Sequence, residues 1–185
     1  WKPTWRMVRY ILDQSWPMLL YGFALQAQLK IDQVMIKDIL GRQMGESFSN
    51  IELGQYSIAV KMLEAIAFLP LILQLAVAPA IAKARVVDIN LYHERLTNQY
   101  RLMFAMYLIT AIPMFFLSEW GIVLLYGEEF REAGVLLSLF AFRLIFSFMG
   151  VAKGSFITNE GLFKFSLITS ILGAAVNIGL NAWLI

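Results

Sequence analysis

Long apolar runs, separated by short polar segments, make up most of this chain. Five of the runs are close to the roughly 20 residues that a helix needs to cross the hydrocarbon core of a bilayer. They cover residues 15–40, 56–82, 102–118, 133–157 and 165–185. None alternates strictly between apolar and polar residues, so membrane-spanning β-strands are disfavoured. Helices are the other structure that can span a bilayer, because they satisfy their own backbone hydrogen bonds in lipid. The pattern therefore predicts an all-α integral membrane protein with about five transmembrane helices.

Composition supports a membrane protein and argues against several other classes. Of the 185 residues, 59% are hydrophobic and 15% are charged, whereas an average soluble domain has roughly 45–50% and 25%. The chain has no Cys and one His, which leaves little for thiolate metal sites or for nucleophile-and-base catalysis. We predict no enzymatic activity, no metal and no cofactor. The net charge of +2 is mild and spread over the polar segments, so nucleic acid is not an expected partner.

The basic residues of the polar segments lie mostly on one side of the predicted membrane. That side carries nine of them: Lys2, Arg6, Arg9, Lys83, Arg85, Arg95, Arg101, Lys153 and Lys164. The other side carries Arg42 and Arg131, with Lys37 at the margin. Because cytoplasmic loops carry the excess of Lys and Arg, the N-terminal flank is predicted to be cytoplasmic. Segment 86–100 then faces the cytoplasm, and its spacing of apolar residues is typical of a short amphipathic surface helix.

Arg143 lies near the middle of the fourth apolar run, between two uncharged segments. An arginine at the centre of a membrane helix costs about 2.5 to 3.5 kcal/mol on insertion scales. Leucine would pack at this position without that cost. Charges at such a depth usually face a polar cavity and mark a transport or binding pathway. We therefore predict that Arg143 faces a cavity between helices.

Four of the charged residues within the first two runs are candidates for the same cavity, and three of them have a simpler alternative. Lys30 and Asp32 occur in a polar part of the first run, where Lys30 either faces a cavity or extends to the interface. Lys61 and Glu64 are three residues apart in the second run, so they either form an ordinary intrahelical ion pair or line the same cavity. Together with Arg143 they carry a formal charge of +1, which suits an anionic ligand.

The fifth run contains a row of small and polar residues at intervals of four. Its members are Thr169, Gly173, Asn177 and Asn181. Small residues in such a row allow close helix approach, and amides hydrogen-bond to a neighbouring helix. The row favours helix packing over ligand binding.

Six short segments match a known transporter pattern in their order and spacing. They are 15–20 (SWPMLL), 30–36 (KIDQVMI), 54–61 (GQYSIAVK), 68–70 (FLP), 78–80 (APA) and 125–130 (LYGEEF), the last followed by Ala133. Over nearly its whole length the chain resembles the polysaccharide-export flippases, the O-antigen and repeat-unit transporters of the multidrug/oligosaccharidyl-lipid/polysaccharide (MOP) superfamily. It is most similar to the start of the second half of such a protein.

The resemblance implies a parent protein of 12 to 14 helices in two bundles, with an N-terminal half that is not in this sequence. It also implies alternating-access transport of a lipid-pyrophosphate-linked oligosaccharide from the cytoplasmic to the outer leaflet of the bacterial inner membrane. In this family, cavity charges are thought to contact the sugar-pyrophosphate head group. Of the five charged residues, Asp32 alone is carried over from a family motif. Lys30, Lys61, Glu64 and Arg143 rest on their depth in the membrane.

Two other functions are compatible with a helical membrane protein. A multidrug or cation antiporter of the same superfamily would need an acidic cavity, whereas the predicted one is mixed and slightly basic. A membrane-embedded glycosyltransferase or polymerase would need a long outer loop with catalytic carboxylates, whereas the outer segments here are short. The flippase is therefore the leading expectation.

Overall fold

The computed structural model describes residues 4–184, without the side chains at 14, 25, 27–29 and 184. Lys2, which contributes to the predicted charge asymmetry, and Ile185, the end of the fifth run, lie outside the described residues. Within 4–184 nearly every residue is helical and no strand occurs. The helices are α1 (Trp5–Met35), a π-helical turn (Ile36–Leu40), α2 (Gly41–Met44), α3 (Glu46–Val87), α4 (Ile89–Tyr126), a 3-10 turn (Glu128–Phe130), α5 (Arg131–Glu160) and α6 (Phe163–Leu184).

Four of these helices, α3 to α6, are long and apolar enough to cross a membrane. They contain the second to fifth predicted runs, so the prediction of an all-α, multi-pass membrane protein is confirmed. Helix α1, which contains most of the first run, is not among the four. Glutamine, lysine and aspartate side chains interrupt the apolar residues in its second half. A fifth membrane crossing therefore stays a prediction.

The chain divides into two compact units, which we describe separately. The first contains Trp1–Asn50 and Gly161–Ile185, and the second contains Ile51–Glu160. In the first unit, α1 packs against α6. Helix α1 passes through the π-helical turn into α2, and Gly45 ends this helical segment with a φ of +94°, which favours glycine.

In the second unit, α3, α4 and α5 share one apolar core. Its fully or nearly fully buried members include Ala59, Leu63, Met103, Met114, Leu137, Ala141, Leu144 and Phe148. On α5 the buried residues recur at intervals of three or four, which places them on one face of the helix. That face packs along α4. The core therefore fixes which side of α5 is turned toward its neighbours.

Segment 86–100 differs from its predicted form. It is helical, but it is not a separate surface helix, because it contains the last residues of α3, a break at Asp88 and the first turns of α4. The Asp88 carboxylate accepts a hydrogen bond from a backbone N–H of the first turn of α4, 2.8 Å away, and so caps the helix. Tyr92 and Leu96 are buried against Ile81 of α3. Part of the apolar face that suggested a membrane surface is therefore used in helix packing, whereas Val86 and Ile89 stay exposed, and the location at the cytoplasmic surface stays a prediction.

The turn between α4 and α5 is held by a buried glutamine of α3. Gly127 begins the turn with a φ of +99°, a region that glycine adopts without strain. The Gln55 side chain donates to the carbonyl of Glu129 at 2.7 Å and accepts from the backbone N–H of Ala133 at 2.9 Å. It thereby satisfies one of the N–H groups that a helix start leaves unpaired. The family-like segment at 125–130 thus has a structural role, which is to place the start of α5 against α3.

Candidate functional site

Arg143 lies well inside α5, about 18 Å along the axis from the first residue of that helix. Its side chain is half-buried and is not part of the buried face that includes Leu137, Ala141 and Leu144. The guanidinium therefore does not point into the apolar core of the second unit. It lies at the edge of the interface between α5 and its neighbours.

An aromatic pair lies next to Arg143. The guanidinium carbon is 5.8 Å from the centre of the Phe140 ring, and Phe140 meets Tyr56 of α3 edge to face at 6.0 Å. A cation–π contact is worth about 0.5–1 kcal/mol when exposed and about 2 when desolvated. The contact lowers the free-energy cost of placing Arg143 in the membrane, but it does not neutralise the charge.

Arg143 has no acidic partner among the residues that the structure describes. Four other arginines do form ion pairs, namely Arg9, Arg42, Arg85 and Arg131. The five N–H donors of a guanidinium suit a carboxylate or a phosphate. Arg143 is thus a charge deep in an apolar helix that can take an anionic partner.

Lys61 and Glu64 lie on α3 in the same unit, and both are exposed. The buried positions of this part of α3 include Gln55, Ala59 and Leu63, so the two charged residues lie outside the face that packs in the three-helix core. They are one turn apart, as the sequence spacing requires. Their exposure is compatible with both of the predicted alternatives, the ion pair and the cavity.

Lys30 and Asp32 lie on α1 in the first unit. Lys30 is exposed, whereas Asp32 is half-buried. The Asp32 carboxylate accepts a hydrogen bond from the Asn181 side chain of α6 at 2.7 Å, and Asn181 lies 3.5 Å from the side-chain oxygen of Asn177. The predicted packing role of the polar row on the fifth run is confirmed at Asn181, whereas the contact of Asn177 lies within α6. Asp32 is therefore part of a helix–helix contact.

The five predicted cavity residues are divided between the two units. Lys30 and Asp32 belong to the first, and Lys61, Glu64 and Arg143 belong to the second. Each of the five lies on a long helix and is at least partly exposed. That they line one chamber stays a prediction.

A polar cluster inside the second unit was missed by the sequence analysis. Gln74 of α3 donates to the Ser155 hydroxyl of α5 at 2.6 Å, and Gln99 of α4 donates to the same hydroxyl at 2.9 Å. Gln99 also donates to the side-chain oxygen of Gln74. Its own side-chain oxygen is buried and has no hydrogen-bond partner among the described residues. Three helices are therefore joined by side-chain hydrogen bonds.

One sequence signal points to this cluster. Gln74 is the single polar side chain in the uncharged segment 65–82. A glutamine in an apolar membrane helix needs a hydrogen-bond partner, because hydrocarbon offers none. The signal indicates that a partner exists, but it does not identify Gln99 or Ser155.

A second polar contact closes the end of the unit that lies near Asp88. Arg85 of α3 makes two parallel hydrogen bonds to the Glu160 carboxylate of α5, at 2.8 and 2.9 Å. The guanidinium also lies 5.4 Å from the centre of the Tyr92 ring of α4. Paired bonds of this kind fix orientation as well as distance. The paired bonds join α3 to α5, and the contact with Tyr92 adds α4. All three helices are thus held together at the end that the charge asymmetry predicts to be cytoplasmic.

Comparison of the chain with protein-family models, with curated proteins and with solved structures gave no match. The similarity to polysaccharide-export flippases therefore rests on the sequence segments alone, and functional assignment rests on the residues described above.

Proposed function

We propose that this chain is part of a flippase that moves a lipid-pyrophosphate-linked oligosaccharide from the cytoplasmic to the outer leaflet of the bacterial inner membrane. In this proposal it forms part of the C-terminal bundle, and an N-terminal half of the same protein supplies the other wall of the cavity. The bundles alternate between an inward-open and an outward-open state.

Arg143 is the observation that carries the proposal. It is a half-buried charge within an apolar helix, and it has no carboxylate partner among the described residues. A structural arginine at this depth would be expected to pair with an acidic residue, since intramembrane charges usually pair with one another. An arginine that binds a pyrophosphate would be open to its ligand, and its planar donors match phosphate oxygens.

The remaining predicted cavity residues fit the same ligand. Lys30 and Lys61 are exposed on long helices, and with Asp32, Glu64 and Arg143 they give a net charge of +1. A slightly basic cavity attracts an anionic head group without holding it too tightly for release. The acidic residues then serve as hydrogen-bond acceptors for sugar hydroxyls.

The proposed orientation can be tested by labelling, because this chain contains no cysteine. Cysteines introduced at Glu128 and at Val86, in a cysteine-free version of the full-length protein, place one thiol near each end of α4. Both side chains are well exposed. With a membrane-impermeant maleimide, the thiol at Glu128 is expected to react in intact spheroplasts, and the thiol at Val86 only after permeabilisation. The reverse pattern would place the junction of α3 and α4 outside and would contradict the proposed orientation.

Transport itself is tested with the full-length protein in proteoliposomes. The substrate is a fluorescent lipid-pyrophosphate-linked oligosaccharide, and an impermeant reductant quenches the label in the outer leaflet. Wild-type protein should expose the inner-leaflet fraction to quenching. The Lys30→Leu variant should slow this exposure about tenfold, the effect of losing one hydrogen bond to a charged group.

Lys164→Leu is the matched control for Lys30→Leu. It removes the same type of side chain from the same unit, and Lys164 is exposed just before the apolar run of α6. It should transport at the wild-type rate. Gradient-driven export of a cationic drug by this protein, without movement of the oligosaccharide lipid, would replace the flippase proposal with the antiporter.

A further inference from the structure

A groove of about 330 Å³ lies between α3 and α4 on the surface of the second unit. One part of its wall is apolar and is formed by Val77 and Ile81 of α3 and by Leu102 of α4. Val77 is half-buried and Leu102 is 39% exposed, so the groove opens to the outside of the unit. Both residues belong to the apolar runs that α3 and α4 contribute to the membrane.

The other part of the groove is polar and carries a positive charge. Arg95, Asn98 and Gln99 line it, all on α4. One guanidinium N–H of Arg95 donates to the carbonyl of Ala80 across the groove at 2.7 Å, which fixes the side chain against α3. A guanidinium has five N–H donors, and no other Arg95 hydrogen bond occurs among the described residues. The exposed amide of Asn98 adds further donors beside it.

Val77 and Leu102 lie further along their helices from Asp88 than Arg95 does, whereas the buried Ile81 lies at the level of Arg95. Arg95 lies about 10 Å along α4 from its cap at Asp88, before the apolar run that begins at Leu102. Phospholipid phosphates occupy this interfacial level, and the acyl chains begin just below it. The groove thus offers a cation at the depth of a phosphate and an apolar channel at the depth of a chain.

We propose that this groove binds the head group and upper acyl chain of an anionic phospholipid from the cytoplasmic leaflet. Arg95 and Asn98 would hold the phosphate, and Val77 and Leu102 would contact the chain. Basic pockets between membrane helices on the cytoplasmic side bind anionic head groups in this manner. None of the predicted transport residues lines the groove, and the proposal does not depend on the nature of the transported substrate.

The test measures lipid binding to the purified full-length protein by native mass spectrometry. Phosphatidylglycerol and phosphatidylcholine with identical acyl chains are compared. Arg95→Gln is expected to weaken phosphatidylglycerol binding about fivefold, the effect of one basic residue near the membrane surface, and to leave phosphatidylcholine binding unchanged. Arg95→Lys keeps the charge and should retain most of the selectivity, which separates lost binding from lost folding.

Arg101→Gln is the matched control. It removes an arginine from the same helix at an exposed position outside the groove, and it should leave phosphatidylglycerol binding at the wild-type level. Equal losses in Arg95→Gln and Arg101→Gln would mean that only general charge attraction acts, and would overturn the proposal. Glycerol phosphate tests the source of the phosphate, because displacement of the lipid at equal concentration would show a site for a free phosphate ester.

A photoreactive benzophenone side chain at Asn98 identifies the occupant directly. Cross-linking to phospholipid in membranes is the expected result. Cross-linking to another segment of the same protein would show that the groove is a protein–protein interface, and the lipid proposal would fail.

Discussion

Replacing Arg143 with leucine should slow transport about tenfold or more while making the folded protein more stable. Hydrogen bonds to a charged group contribute about 1.5–3 kcal/mol, and their loss affects only states in which the pyrophosphate is bound. Removing a charge from the centre of a membrane helix should at the same time favour insertion and folding by up to about 3 kcal/mol. A charge that binds the ligand is thus expected to give slower transport and higher stability when it is removed.

The two effects are measured in the proteoliposome flipping assay and by thermal unfolding in detergent. Phe140→Leu serves as a control, because it removes the cation–π contact and leaves the arginine in place, so transport should change little. Arg143→Lys keeps the charge but loses the planar donors, and it should give intermediate transport. If Arg143→Leu instead unfolds the protein at a lower temperature, the arginine is a structural residue and the central support for the flippase proposal is lost.

The fold class could be predicted because a membrane helix is identified by its mean hydropathy over about 20 residues. Each of α3, α4, α5 and α6 contains a window whose mean hydropathy stays high enough for a membrane span even though it includes single polar residues. In the second half of the first run the polar residues are too many for such a window. Helix α1 is therefore present, while its membrane crossing stays a prediction. Segment 86–100 shows the converse difficulty. An amphipathic pattern of this length indicates a helix, but it does not distinguish a membrane surface from the neighbouring helix that covers Tyr92.

The polar contacts were only partly predictable, because their partners are distant in sequence. The spacing of Asn177 and Asn181 indicated a helix interface, and the structure supplies Asp32, 149 residues away, as the acceptor. Gln74 indicated only that some partner was needed, and Ser155 lies 81 residues further along the chain. Periodicity describes one face of one helix, whereas such pairs depend on how helices pack.

The sequence pattern also gave no indication of a close approach between α4 and α5 in the second unit. Gly134 of α5 lies directly against the backbone of α4, and a Cβ atom at this position would come within 2.6 Å of the Cα of Glu119. It would also lie 3.3 Å from the carbonyl of Ser118. These are backbone atoms, so no side-chain rotation can relieve the contact. Small residues permit such an approach between membrane helices.

Gly134→Ala should therefore destabilise the protein by about 2 kcal/mol, within the range for overpacking a close contact. The added methyl group forces α4 and α5 apart at the end where Gln55 holds the turn, so its hydrogen bonds to the start of α5 are weakened as well. Thermal unfolding of the full-length protein in detergent measures the change. Gly134→Val should be more severe, because its side chain extends further toward Glu119.

Gly150→Ala on the same helix is the matched control, since no atom lies within 4 Å of the added Cβ. Alanine is favoured over glycine within a helix by about 1 kcal/mol, so this variant should be neutral or slightly stabilised. The two substitutions are chemically identical and lie on one helix, yet only Gly134→Ala should destabilise the protein. Equal effects on unfolding would show that the close approach of α4 and α5 at Gly134 does not exist in the membrane protein.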